Sequence, residues 1–137
     1  MAHEQEIMRV DSKGRVTIPA YMREELGMKD GSYAAVRIDR EDRSVTVNLF
    51  AGAHAKLVEM KLKISDRPGA LARAARTLSE MNLDLMTSSS RTLKKGDVAE
   101  WVVVVDVGQS GMTIDEIRRK ILRNRDAMAV EVKELPV

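Results

Sequence analysis

Apolar positions change their period several times along the chain, and each change marks an expected element. Ile7, Val10, Val16 and Ile18 are β-formers on either side of Asp11-Ser-Lys-Gly14, a turn cluster with its glycine last, so two short strands are expected over 6–10 and 15–18. The period then lengthens. Ile18, Met22 and Leu26 fall four apart, Pro19 suits a first helical turn and Gly27 a helix stop, which predicts a helix over 19–26. Alternation returns in 32–39 (Ala34, Val36, Ile38) and 44–50 (Val45, Val47, Leu49), around Arg40-Glu-Asp-Arg43, the pattern of a hairpin. The first unit thus reads β-β-α-β-β over residues 1–50.

Residues 51–56, opening Ala51-Gly-Ala-His-Ala55, are small, lack periodicity and read as a linker. From 57 to 65 Val58, Met60, Leu62 and Ile64 alternate with charged positions, predicting a strand with one core-facing side. Leu71, Ala74, Ala75, Leu78 and Met81 form a helical stripe within 68–81, with Arg73, Arg76, Ser79 and Glu80 outward. Strands are expected over 82–93 and 97–107, joined by Lys94-Lys-Gly96. Thr113 and Glu116 have capping-box spacing ahead of Ile114, Ile117, Ile121 and Leu122, the apolar face of a second helix, and 128–135 closes as a strand. The second unit, 57–137, reads β-α-β-β-α-β, the ferredoxin-like order. The expected fold class is α+β.

Composition narrows the possibilities. A chain of 137 residues accommodates one ordinary domain or two small ones. Only Tyr21, Tyr33, Phe50 and Trp101 are aromatic, so Val, Ile, Leu, Ala and Met must build the core; Met60, Met81, Met86 and Met128 are expected in it. The first unit is small enough for its core to be marginal, which points to dimerisation. The absence of cysteine excludes disulfides, thiolate metal sites and cysteine nucleophiles, and fits a cytoplasmic protein. The longest apolar runs fall far short of a membrane span, and the N-terminus lacks the pattern of a signal peptide. No glycine-rich phosphate loop is present, and His3 and His54 fall in a tail and a linker. Asp115 and Glu116 complement a helix dipole. No catalytic residues, metal site or cofactor are therefore predicted, and the protein is expected not to be an enzyme.

Net charge is only +2, so its distribution matters more than its total. Residues 9–23 carry Arg9, Lys13, Arg15 and Arg23 against Asp11 alone, net +3, and a two-fold dimer doubles this to +6. Long cations around one hairpin suit phosphates and base edges. The plainer alternative is ordinary surface charge on a solvated hairpin.

Val10-Asp-Ser-Lys-Gly-Arg-Val-Thr-Ile-Pro-Ala20, with Met22-Arg-Glu-Glu-Leu-Gly-Met28 and Asp30-Gly31, resembles the swapped-hairpin DNA-binding domain of AbrB/SpoVT-type transcription regulators over residues 6–50. The resemblance implies two chains interleaved into one dimeric body, with Arg9, Lys13, Arg15 and Arg23 as DNA-binding residues. Glu24 stands where some bacterial members have a second consecutive arginine. Ile64-Ser-Asp-Arg-Pro-Gly-Ala-Leu71, with Asn82-Leu-Asp84, resembles an ACT domain over residues 57–135, which implies a module that senses amino acids or related metabolites.

The ligand-binding candidates are Asp66, Arg67, Pro68, Gly69, Ala70, Leu71 and Asn82. A strand-to-helix turn with Gly69 behind Pro68 presents amide N–H groups and a positive dipole end to a carboxylate. Asp66 is expected either to hold an ammonium group or to cap the helix, and Arg67 either to bind ligand or to be a surface cation. The combined expectation is a transcription regulator, a homodimer or dimer of dimers, that partners DNA and a small-molecule effector such as an amino acid and has no membrane partner. The alternative is an antitoxin-like or scaffold protein whose ACT half only oligomerises.

Overall fold

The computed structural model describes residues 5–136; residues 1–4, His3 among them, and 137 lie outside the described residues. The chain divides between Ala53 and His54 into two compact units.

In the first unit, α1 (Ala20–Leu26) stops at Gly27, whose φ of 72° lets its N–H reach back to the carbonyls of Arg23 and Glu24. Strands β1 (Tyr33–Asp39) and β2 (Ser44–Ala51) pair antiparallel, with Val36 opposite Val47 and Ile38 opposite Val45. The strands expected over 6–10 and 15–18 are not formed. Only their turn is regular, closed by bonds from Asp11 N–H to the Arg15 carbonyl (3.2 Å) and Gly14 N–H to the Asp11 carbonyl (3.0 Å). An isolated two-stranded ribbon is marginal at best, and among the described residues nothing covers the apolar side chains of this one, Ile7 being 94 % exposed. The single chain therefore shows α-β-β in place of β-β-α-β-β.

The second unit is an antiparallel sheet of order β4-β5-β3-β6, from β3 (Leu57–Ser65), β4 (Asp84–Lys94), β5 (Val98–Asp106) and β6 (Ala127–Glu134), with α2 (Ala70–Glu80) and α3 (Ile114–Leu122) between strands as crossovers. The element order is ferredoxin-like, as expected. The central strands bury Val58, Met60, Leu62 and Ile64 on β3 and Trp101, Val103 and Val105 on β5, against Ala74 and Leu78 of α2 and Ile117 and Ile121 of α3. Thr113 Oγ1 accepts from Glu116 N–H (3.2 Å) and caps α3.

Two β-bulges alter the expected core. Pairing jumps from Leu85 to Thr87 on β4 and from Ala129 to Ala127 on β6, so Met86 and Met128 are each the extra, unpaired residue. Met128 is accordingly exposed and Met86 only half-buried, while Met60 and Met81 are core. Leu122 follows Ile121 by about 100° around α3 and faces solvent. Leu71 is likewise off the buried line of Ala70, Ala74 and Leu78. Among the described residues no helix is long and apolar enough to cross a membrane.

Candidate functional site

The β4 bulge at Met86 reverses which side of the strand residues 87–92 face, ahead of a second register shift at Leu93. Ser88 falls opposite Val103 and Ser90 opposite Trp101, on the helix-covered face. Ser88 Oγ accepts from the buried Trp101 indole N–H at 2.8 Å. Ser90 faces a cleft of about 220 Å³ lined also by Asp66 and Arg67 of the β3–α2 turn, by Leu71 of α2, and by Arg91, Thr92 and Ala99. Three of the expected ligand residues thus meet here. Ser90, Arg91 and Thr92 escaped the sequence reading because strand alternation is read without bulges.

Asp66 does not cap α2. Its Oδ2 accepts from Gly96 N–H at 2.8 Å and its own N–H donates to the Asp97 carbonyl at 3.1 Å, so the β4–β5 turn is tied to the cleft. The N-cap of α2 is Gly69, left-handed at φ 83°, without a side-chain bond. The helix starts at Ala70 rather than at Pro68 because that left-handed step interrupts it. Ala70 is buried and gives its N–H to the Arg67 carbonyl (3.1 Å). Pro68 and Arg67 are exposed. Asn82 lies at the opposite end of α2, where a φ of 57° suits its role as a helix terminator, and does not line the cleft.

Beside the cleft, Asp126 organises a polar cluster. Its carboxylate accepts Arg73 Nε at 2.5 Å, Arg73 Nη2 at 3.2 Å and Ser65 Oγ at 2.8 Å. Arg73 first and then Ser65 hold its pKa down to about 2. A Cβ on Gly69 would stand 2.7 Å from Arg73 Nη1, so glycine at that turn also leaves room for the Arg73 fork.

In the first unit, Asp11 builds the tip of the 6–18 segment. Oδ1 accepts the N–H groups of Lys13 and Arg15, both at 2.9 Å, and Oδ2 accepts Arg15 Nε at 2.7 Å. The Arg15 amide and then its guanidinium lower the Asp11 pKa. Arg15 remains 70 % exposed, and Arg9, Lys13 and Arg23 are exposed without an ion pair among the described residues. Two clefts flank this segment. One, of about 720 Å³, lies along Glu6–Arg9 and Arg15–Thr17; the other, about 360 Å³, lies between α1 and β2 and is lined by Ile18, Tyr21, Met22, Leu26, Met28 and Val47.

The ACT domain family matches residues 58–121, and these residues form an ACT domain, a type that typically senses small molecules in regulation. Among solved structures, the C-terminal domain of the MgtC protein from Mycobacterium tuberculosis is similar at 9 % identity and a TM-score of 0.46, over 61 % of this chain and 90 % of that one. No curated protein matches.

Proposed function

Taking residues 58–121 as an ACT domain, we propose that the chain is a homodimeric, DNA-binding transcription regulator whose ACT domain takes up an amino acid or a related small metabolite. It acts by binding, without catalysis or a cofactor. The observation that carries the DNA reading is the Asp11-built tip, which spends one carboxylate on holding two amides and a guanidinium while Lys13 and Arg15 project outward. Arginine forks preset in this way engage phosphates and base edges.

Dimerisation is supported by burial. No described residue before Leu57 is buried, yet one face of the β1–β2 hairpin carries Val36, Ile38, Val45, Val47 and Leu49 in register, all between 39 % and 65 % exposed. With Ile7, Val10 and Val16 also exposed, the natural cover is the same set of residues from a second copy. Interleaved hairpins would supply the missing strand partners for 6–10 and 15–18.

In the ACT domain, Asp66 Oδ1, without a hydrogen-bond partner among the described residues, suits an ammonium group, and Arg67 a carboxylate. Ser90 and Thr92 offer hydroxyls, while Leu71 and Ala99 form the apolar wall. The cleft is smaller than the roughly 300–1,000 Å³ of drug-sized sites and fits a single small metabolite. Strand β3 runs from the linker at Leu57 to the cleft at Ser65, so an effector that prefers one setting of that strand biases the segment leading to the DNA-binding unit. An effector with equal affinity for both settings would shift nothing. One observation favours the alternative in which the ACT half only oligomerises: β4 is an eleven-residue edge strand, mostly exposed and available for pairing.

The test is fluorescence anisotropy of a labelled random-sequence duplex with the full chain, with and without each of the twenty amino acids, alongside thermal shift of the protein. DNA binding with a log K against log[salt] slope near about −5, as for about six neutralised phosphates, and a change with one class of amino acid are expected. Absence of DNA binding refutes the regulator. DNA binding without any amino-acid response leaves the ACT half as an oligomerisation module.

A further inference from the structure

Residues 118–125 hold Arg118, Arg119, Lys120, Arg123 and Arg125 without an acidic residue, a basic run that neither the DNA-binding nor the effector reading uses. On the structure the run is divided. Arg118 is neutralised by Asp115 at 2.9 Å, whereas Arg119, Lys120 and Arg123 converge on a cleft of about 330 Å³ whose remaining lining is Met112 and Glu116. None of these three cations is in an ion pair among the described residues; Arg119 gives only its Nε, to the Asp115 carbonyl at 3.3 Å. Met112 packs against the core and supplies a fixed apolar wall.

We propose that this α3 cleft is a binding site for a phosphate monoester, formed by Arg119, Lys120 and Arg123. Three cations within about one helical turn repel one another, and the arrangement is relieved when an anion lies between them. The charges decide its class. Three cations and the Glu116 carboxylate leave a net +2, which matches a dianionic phosphate monoester better than a singly charged carboxylate. Guanidinium forks at Arg119 and Arg123, four residues apart on one helix face, suit the paired oxygens of a phosphoryl group. Glu116, beside them, accepts hydroxyls of the esterified alcohol and disfavours a long polyanion, so a small phosphorylated molecule fits better than a nucleic-acid backbone. The site is separate from the Asp66 cleft and stands or falls independently of it.

Calorimetric titration of the full chain with inorganic phosphate, glycerol phosphate, sulfate and a random-sequence duplex tests the assignment. Glycerol phosphate and inorganic phosphate are expected to bind, with affinity reduced roughly tenfold or more in the Arg119→Gln/Arg123→Gln double variant. Glu116→Gln is expected to strengthen inorganic phosphate binding, a gain that misfolding cannot mimic. Unchanged Trp101 emission in each variant checks the core. Absence of monoester binding overturns the proposal, as does affinity unaffected by the double substitution or by Glu116→Gln. Duplex binding lost in the double variant without any monoester binding overturns it in favour of a nucleic-acid surface, and would leave the hairpin's own salt-dependent DNA binding to be read from Arg15→Ala.

Discussion

Asp66 and Gly96, thirty residues apart, are joined by a 2.8 Å hydrogen bond from the glycine amide to the aspartate Oδ2. Through it, and through the Asp66 N–H bond to the Asp97 carbonyl, the β4–β5 turn is tied to the β3–α2 turn. Replacing Asp66 by alanine therefore affects both the fold and the cleft. Asp66→Ala is expected to lower stability by about 1–2 kcal/mol, the range of a partly exposed bond from an amide to a charged acceptor, and to abolish amino-acid binding. Asp66→Asn keeps a carbonyl acceptor for Gly96 and should restore most of the stability without restoring the ammonium site. Urea unfolding followed by the single, buried Trp101, together with calorimetry, separates the two effects; equal ligand affinity in Asp66→Asn and wild type would remove Asp66 from ligand recognition.

Asp126 makes acid stability a measurable property of the second unit. Its folded pKa of about 2 lies below the ordinary 3.8, so the group binds fewer protons folded than unfolded, and the stability it contributes is present above pH 3.8 and lost as pH falls through about 2. The urea midpoint difference between wild type and Asp126→Asn should be largest near about pH 5 and shrink toward about pH 2. A difference independent of pH would mean that the Arg73 and Ser65 contacts do not hold the carboxylate charged.

Val36 reports assembly. In a single chain it is 65 % exposed, and Val36→Ala should then change stability by less than about 0.5 kcal/mol. In an interleaved dimer the same truncation removes buried methyl groups and should cost about 1–3 kcal/mol per site. Unfolding of the first unit should also depend on protein concentration. Sedimentation of a monomer at micromolar concentration, with a neutral Val36→Ala, would refute the dimer.

Asp11 discriminates charge from positioning at the DNA-binding tip. By charge alone, Asp11→Ala removes a negative group and should tighten DNA binding. Because Asp11 instead organises the Lys13 and Arg15 amides and the Arg15 guanidinium, the expected result is weaker binding, by about tenfold, similar to Arg15→Ala and larger than Arg43→Ala in the β1–β2 turn. Anisotropy at fixed salt decides between them, and tightening on Asp11→Ala would remove the tip from the interface.

The sequence by itself determined the elements whose pattern is local. Val58, Met60, Leu62 and Ile64 mark the inward side of β3, Thr113 and Glu116 the start of α3, and Gly27 the end of α1, because period, caps and left-handed glycine positions depend on near neighbours. Tertiary structure decided what depends on distant partners. Met86 and Met128 leave the core through bulges set by register against β5 and β3. Ser90 joins the cleft by the same shift, and Asp66 serves Gly96 rather than α2. The segments 6–10 and 15–18 have the composition of strands without strand structure in one chain. A strand needs a partner for its backbone groups, and among the described residues of one chain none provides it here.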